Sequence, residues 1–179
     1  DRQAPDNAPK ITITTAEPLH GIYNKDVDFE IQVIDPKVNG TYSGLKEVSY
    51  EILKDGEVTQ SGNYNNELLD ATQRMQSITR NETVEAEINN SNNVQIKVTA
   101  VDQSGNKATE TKNLSIDITA PTIDVTYDLN SPLNDRYYNA TRTATVTVTE
   151  RNFDPSAVRF NITNTDGTQP SISGWSHSA

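Results

Sequence analysis

The sequence predicts an all-β protein: two copies of one sandwich module in tandem, the second incomplete. Three observations lead there. An opening phrase occurs twice, as Ala8-Pro9-Lys10-Ile11-Thr12-Ile13 and as Ala120-Pro121-Thr122-Ile123-Asp124-Val125. Apolar and polar residues alternate in run after run, the two-residue period of strands with one buried face. Turn residues interrupt these runs about every 8–12 positions, giving about seven strands before the phrase recurs, the spacing of a sandwich.

In sequence order, residues 1–9 read as a linker, because each proline fixes its own φ and pushes the preceding residue to extended backbone. Lys10 to Thr15 is the first strand, with Ile11 and Ile13 on one face. Asp26 to Ile34 is the second, its core face Val27, Phe29, Ile31 and Val33. Pro36 to Gly44 carries turn chemistry. Lys46 to Lys54 follows with Val48, Tyr50 and Ile52 inward, and Lys54-Asp55-Gly56-Glu57 reads as a hairpin turn, since Asp-Gly takes up left-handed conformations readily. Val58 to Gly62 is the returning strand.

Leu68, Thr72 and Met75 recur at helical spacing, so Asn65 to Met75 is expected to be a short helix or an irregular crossover. Glu82 to Ile88 is expected to be a strand with Val84, Ala86 and Ile88 inward. Asn89 to Asn93 reads as a loop and Val94 to Val101 as the central strand. Asp102 to Asn106 reads as a tight turn in which Gly105 supplies the positive φ. Thr109 to Ile116 closes the first module.

The second copy keeps the register of the first. Pro132-Leu133 matches Pro18-Leu19, Tyr138-Asn139 matches Tyr23-Asn24, the strand Ala144 to Val148 matches the second strand, and Asp154-Pro155 matches Asp35-Pro36. Pro9 and Pro121 are 112 positions apart, close to the roughly 100 residues of an immunoglobulin-type sandwich. The expected division is a linker at 1–9, a complete sandwich at 10–118 and the opening part of a second at 119–179. Half a sandwich leaves an inner face and strand edges open. Strand exchange with a second copy, or further polypeptide, is expected to complete it, as in a segment of a longer array.

Composition narrows the function. Apolar residues make up 33% and aromatics 6% of the protein, which implies thin cores and much surface. A formal charge of −10 argues against a basic patch for nucleic acid or anionic membranes and is ordinarily a solubility feature. No cysteine is present, so the module is held by packing and is no disulfide scaffold. No stretch is apolar and long enough to span a bilayer or serve as a signal peptide.

Val98-Thr99-Ala100-Val101-Asp102-Gln103-Ser104-Gly105-Asn106, followed by Ile116-Asp117-Ile118-Thr119-Ala120-Pro121-Thr122-Ile123, resembles the tandem bacterial immunoglobulin-like domains of large Gram-positive surface proteins. There a V-x-A-x-D-x-x-G-N strand end and a D-x-T-A-P-x-I junction separate one domain from the next. Tyr137-Tyr138-Asn139, Arg142 to Val146 and Glu150 to Asp154 resemble the opening of such a domain. The resemblance implies tandem Ig-like β-sandwiches and an exported location, at the bacterial cell surface or secreted. It also implies that Trp175 closes a strand against the second core. It is silent about ligand, and the sequence departs from the pattern in lacking the second domain's own Asp-x-x-Gly-Asn turn.

Candidate chemistry is sparse. His20 and His177 are far apart in sequence, and no serine has the spacing of a nucleophile elbow, so no catalytic residues are assigned and the protein reads as no enzyme. Calcium is the sharper idea, because a hard cation takes oxygen ligands from Asp carboxylates and loop carbonyls. Asp102 and Asp117 are the candidate ligands at an interdomain junction, with Asp35, Asp124 and Glu17 as carboxylates that could approach. The plainer alternative is that Asp102 and Asn106 cap their own turn and Asp117 caps the linker. Lys97 has a strand position suited to a Lys–Asn or Lys–Asp isopeptide crosslink but no identifiable partner, and reads more simply as an outward side chain. The tyrosines are read as core or corner residues before sugar-stacking ones. Asn-x-Ser/Thr sites begin at Asn39, Asn81, Asn113, Asn139 and Asn161, as expected of a sequence rich in Asn and Thr.

The reading that results is a non-catalytic spacer of an exported bacterial surface protein, partnered by neighbouring Ig-like domains of the same polypeptide. Its rivals are an adhesin-like module that binds a host protein or glycan through loops at one end, and an accessory domain of a carbohydrate-active enzyme. An exposed aromatic cluster at one end of the sandwich would favour the binding module.

Overall fold

The computed structural model describes residues 7–68, 74–128, 142–159 and 161. By its contacts the protein divides between Ala120 and Pro121 into two compact units. It is all-β, and among the described residues each pair of neighbouring strands is antiparallel.

The described residues of the first unit hold seven strands: β1 (Lys10–Thr15), β2 (Val27–Ile34), β3 (Leu45–Lys54), β4 (Glu57–Asn63), β5 (Ser77–Val84), β6 (Ser91–Asp102) and β7 (Lys107–Ile116). One sheet has the order β1-β2-β5 and the other β4-β3-β6-β7. Their apolar faces meet in a single core. In β2 burial alternates at every residue from Val27 to Ile34, and Phe29, Ile31 and Val33 are shut off from solvent. Facing them are Val48 and Ile52 of β3, Val94, Ile96, Val98 and Ala100 of β6, and Leu114 and Ile116 of β7. Each fully buried Val or Ile contributes about 1.5–3 kcal/mol relative to exposure, so the core rests on these alternating positions. It contains one methionine contact, Met75, at its margin.

The hairpin turn between β3 and β4 is as expected: Asp55 and Gly56 take φ of 53° and 90°, the left-handed pair that matches the twist of two-residue hairpins. Gly62 of β4 lies opposite Tyr50 of β3, and a Cβ there would meet the Tyr50 ring at 2.5 Å. A glycine is required for the ring to lie over the edge strand.

Two expectations need correction. The strand placed at Glu82 to Ile88 instead begins at Ser77 and ends at Val84. Ala86 is buried as expected, but Ile88 is 42% exposed. Beyond Val84 the backbone turns, because the Ala86 amide donates to Asp26 Oδ1 at 2.8 Å and the Asn89 amide to the Glu85 carbonyl at 3.1 Å. These bonds replace the ladder that a longer strand would need. The loop placed at Asn89 to Asn93 is also shorter, since β6 starts at Ser91 with a register shift before Val94, and Asn89 is wholly buried. Of the stretch from Asn65 to Met75, the described part holds one 3₁₀ turn, Asn65–Glu67; residues 69–73 lie outside the described residues.

In the second unit β8 (Thr122–Tyr127) pairs with β9 (Ala144–Thr149). Ile123 faces Val148, Val125 faces Val146 and Tyr127 faces Ala144. Ile123, Val125 and Tyr127 are exposed. Arg142 Nε donates to Asp128 Oδ1 at 2.9 Å, with its guanidinium 5.6 Å from the Tyr127 ring centre. Asp154 caps the 3₁₀ turn Pro155–Ala157 by accepting from the Ser156 amide.

Candidate functional site

The two ends of the first unit differ in chemistry. At the leading end, Lys10 of β1 pairs with Ile34 of β2, and Leu45 of β3 with Asp102 of β6. The ends of both sheets are tied there, since the Asp35 amide donates to Gln76 O and the Leu45 amide to Met75 O, each at 2.8 Å.

Two carboxylates are buried at this end, Asp35 at 2% and Asp102 at 1% exposure. A buried carboxylate must be hydrogen-bonded, and both are. Asp35 Oδ2 accepts from the Gly44 amide at 2.6 Å and from Ser43 Oγ at 3.0 Å, which fixes the far end of the loop between β2 and β3. Gly44 has φ of +94°, so its amide reaches the carboxylate from a backbone position that other residues avoid. Asp102 Oδ1 accepts from the Asn106 amide and Oδ2 from Asn106 Nδ2, both at 2.8 Å, while Gly105 takes the positive φ expected of it. Asp35 and Asp102 line one cleft of about 270 Å³, with Tyr42, Ser104 and Asn106 on its walls.

Asp117 lies at the trailing end. Its Oδ1 accepts from the Thr119 amide at 3.1 Å, and its own amide donates to the Tyr23 carbonyl at 2.8 Å. The β6–β7 register runs from Val101 opposite Lys107 to Ser91 opposite Ile116, so the full length of a strand, about 30 Å, separates Asp102 from Asp117. The structure therefore does not bring the two candidate calcium ligands together. Asp102 shares its end of the unit with Asp35 instead, both lining the one cleft. Glu17 is exposed beyond the far end of β1, and Asp124 belongs to the second unit. Among the described residues no group of three or more His, Asp or Glu side chains is arranged to hold a metal ion.

Sequence reasoning missed a polar clasp along the side formed by β4 and β5, where the sheets are not joined by a ladder. Tyr64 Oη donates to Glu82 Oε1 at 2.7 Å and Tyr50 Oη to Oε2 at 3.0 Å, so one carboxylate on the first sheet holds two phenols, one from β3 and one from the residue that follows β4. Arg80 lies 6.0 Å from the Tyr64 ring centre and pairs with Glu67. Burial, then the bond to Glu82, pushes the Tyr50 phenol up to about 12, and the same causes in the same order raise Tyr64. Next along the edge, Gln60 of β4 donates to the Thr83 carbonyl at 3.2 Å and accepts from the Glu85 amide at 3.0 Å. Buried Asn89 accepts from Thr59 Oγ1 at 2.6 Å and donates to Gln60 Oε1 at 2.8 Å. Nothing local pairs residues 18 and 32 positions apart.

The remaining candidates are placed plainly. Tyr23 Oη donates to the Ala16 carbonyl at 2.7 Å and lies within hydrogen-bond distance of Thr15 Oγ1, at 3.0 Å, tying down the segment after β1. Lys97 pairs with Glu51 at 2.9 Å across β3 and β6, a salt bridge with both side chains over a third exposed and so of small energetic weight. His20 is exposed with φ of 54°. Asn39, Asn81, Asn113 and Asn161 are all exposed. Tyr137, Tyr138, Asn139, Trp175 and His177 lie outside the described residues.

No helix among the described residues is long and apolar enough to cross a membrane. No protein-family model matches the sequence, and no curated protein matches it either. Among solved structures, the crystal structure of the MHC-like protein MILL2 aligns over 60% of this protein and 41% of its own length, with 13% identity and a TM-score of 0.34.

Proposed function

We propose that the protein is a non-catalytic spacer built of tandem Ig-like modules, part of an exported bacterial surface protein, which sets the distance of a distal functional domain. One observation carries this reading: the polypeptide enters the first unit at one end of its strands and leaves at the other. β1 begins beside Ile34 at the end that holds Asp35 and Asp102, and β7 finishes beside Ser91 at the opposite end. A module threaded in this way adds its full strand length to an array. Tension between Lys10 and Ile116 acts along the strands, so the six rungs of β1–β2 are loaded together and not one at a time. At the exit, Tyr23 N donates to Ser115 O at 2.9 Å and Asp117 N to Tyr23 O at 2.8 Å, which fastens the last strand to the segment that links β1 to β2.

Two further observations support the reading. The apolar pairs of β8–β9 occupy the register of Ile11–Val33, Ile13–Ile31 and Thr15–Phe29 in β1–β2, as the opening strands of a second module would. Every described phenylalanine and tyrosine of the first unit is buried or half-buried, whereas a binding module would display aromatics at one end.

The test is force spectroscopy on single molecules. The protein has no cysteine, so paired substitutions Asn7→Cys and Ala120→Cys give unique handles across the long axis, and Glu57→Cys with Ala120→Cys places both handles at the trailing end. The expected result is cooperative unfolding at clearly higher force for the lengthwise pair. Equal forces for the two geometries overturn the spacer reading under tension.

A further inference from the structure

The loop between β2 and β3 presents a reactive pair that the spacer reading does not use. Of all the asparagines in the sequence, Asn39 alone precedes a glycine. It stands at the tip of the loop, exposed, with φ of 52°, followed by Gly40 at 82°. Together they form a two-residue turn of the left-handed kind. That turn is closed by two hydrogen bonds, Val38 N to Thr41 O at 2.8 Å and Thr41 N to Val38 O at 3.1 Å. A Cβ built on Gly40 would meet nothing within 4 Å, so no other part of the molecule crowds the turn there.

We propose that Asn39 is a site of spontaneous, backbone-assisted deamidation. The Gly40 nitrogen gives up its proton and attacks Cγ of Asn39. The Cγ–Nδ2 bond breaks and ammonia leaves, closing a five-membered succinimide. Water then opens the ring at either carbonyl, leaving aspartate or isoaspartate at position 39. One water is consumed, one ammonia is released, and nothing is oxidised or reduced. A short exposed loop opens locally far more often than the sheets do, and each opening frees the Asn39 backbone to reach the attacking geometry.

The rest of the molecule supplies internal controls. Asp55-Gly56, which has no amide to lose and would reach the same succinimide by expelling water, has nearly the same backbone angles, but the Asp55 carboxylate accepts from Ser91 Oγ at 2.8 Å and its backbone amide donates to Asn93 O at 2.9 Å. Asn90-Ser91, the next least hindered described pair, is restrained because Asn90 Nδ2 donates to Thr119 Oγ1 at 2.9 Å and Ser91 is buried in β6.

The consequence is local. Isoaspartate lengthens the backbone by one methylene, so the two-residue turn can no longer close and the Val38–Thr41 bridge is lost. Val38 and Thr41 line the same cleft as Asp35 and Asp102, so conversion loosens that wall and adds a negative charge to the turn between them. It also erases the Asn39-Gly40-Thr41 acceptor sequence.

The experiment is ageing of the whole folded protein in mildly alkaline buffer, followed by peptide mapping and enzymatic methylation of isoaspartate, with the urea-unfolded protein as reference. The expected result is conversion at Asn39 before any other asparagine, in both product forms, and its loss in Gly40→Ala. Because Gly40→Ala also strains the turn, Asn39→Gln is run beside it and is expected to remove the isoaspartate signal with the fold intact. Conversion of another asparagine first, or conversion at Asn39 in the unfolded protein alone, overturns the proposal.

Discussion

Removing the acceptor that two phenols share should loosen the first unit in a non-additive way. Glu82 accepts from Tyr64 at 2.7 Å and from Tyr50 at 3.0 Å, and Tyr64 is only 7% exposed. A hydrogen bond to a charged group contributes about 1.5–3 kcal/mol, and the half-buried setting puts each bond here near the lower figure. Tyr64→Phe should therefore cost about 1.5 kcal/mol, and Glu82→Ala, which strands both phenols, about 3 kcal/mol. The double substitution cannot lose the Tyr64 bond twice. It should cost about 3 kcal/mol rather than about 4.5, a coupling of about 1.5 kcal/mol. The assay is urea unfolding of the four proteins, compared at a common slope. Additivity to within about 0.5 kcal/mol would refute the clasp, as the two side chains would then act independently.

Two other outcomes follow from the same structure. Stability should fall as pH rises from about 10 toward about 12: the folded Tyr50 phenol is held up to about 12 against an ordinary 10.0, so the unfolded state sheds its proton first. The contribution is whole below the ordinary value and is lost through that window. Urea midpoints across the range should show this fall, less steeply in Tyr50→Phe; a flat or rising profile refutes it. Ile31→Ala, at a wholly buried position of β2, should cost about 2–5 kcal/mol, whereas Leu19→Ala at 80% exposure should stay within about 0.5 kcal/mol. Thermal or urea melts check the pair, and similar losses for both would refute the assignment of the core.

Strand identity was legible wherever one face is apolar. β1, β2, β3 and β7 appear within two residues of their expected limits, because alternation reports burial directly, whereas β4, which buries no residue, was placed by the hairpin turn before it. β5 was misplaced since its first half, Ser77-Ile-Thr-Arg-Asn81, offers only Ile78 to the core. The apolar alternation then runs past Val84 into a turn, so the pattern pointed too late. The carboxylates show the same limit. Asp102 with Asn106 could be read as a capped turn because its partners are four residues away. That Asp35 and Asp102 line one cleft, and that Asp102 is separated from Asp117, depend on which strand ends share an end of the sandwich.

Local pattern was enough for the all-β character, the succession of strands in the first unit, their inward faces and the turns that need positive φ. Those follow from a period of two and from the steric freedom of glycine, both properties of neighbouring residues. It took the folded arrangement to set which carboxylates share an end, that Glu82 holds Tyr50 and Tyr64, and that the polypeptide runs in at one end and out at the other. Such pairings join residues far apart in sequence, and their partners are chosen by the stacking of two sheets over one core, which no local pattern encodes.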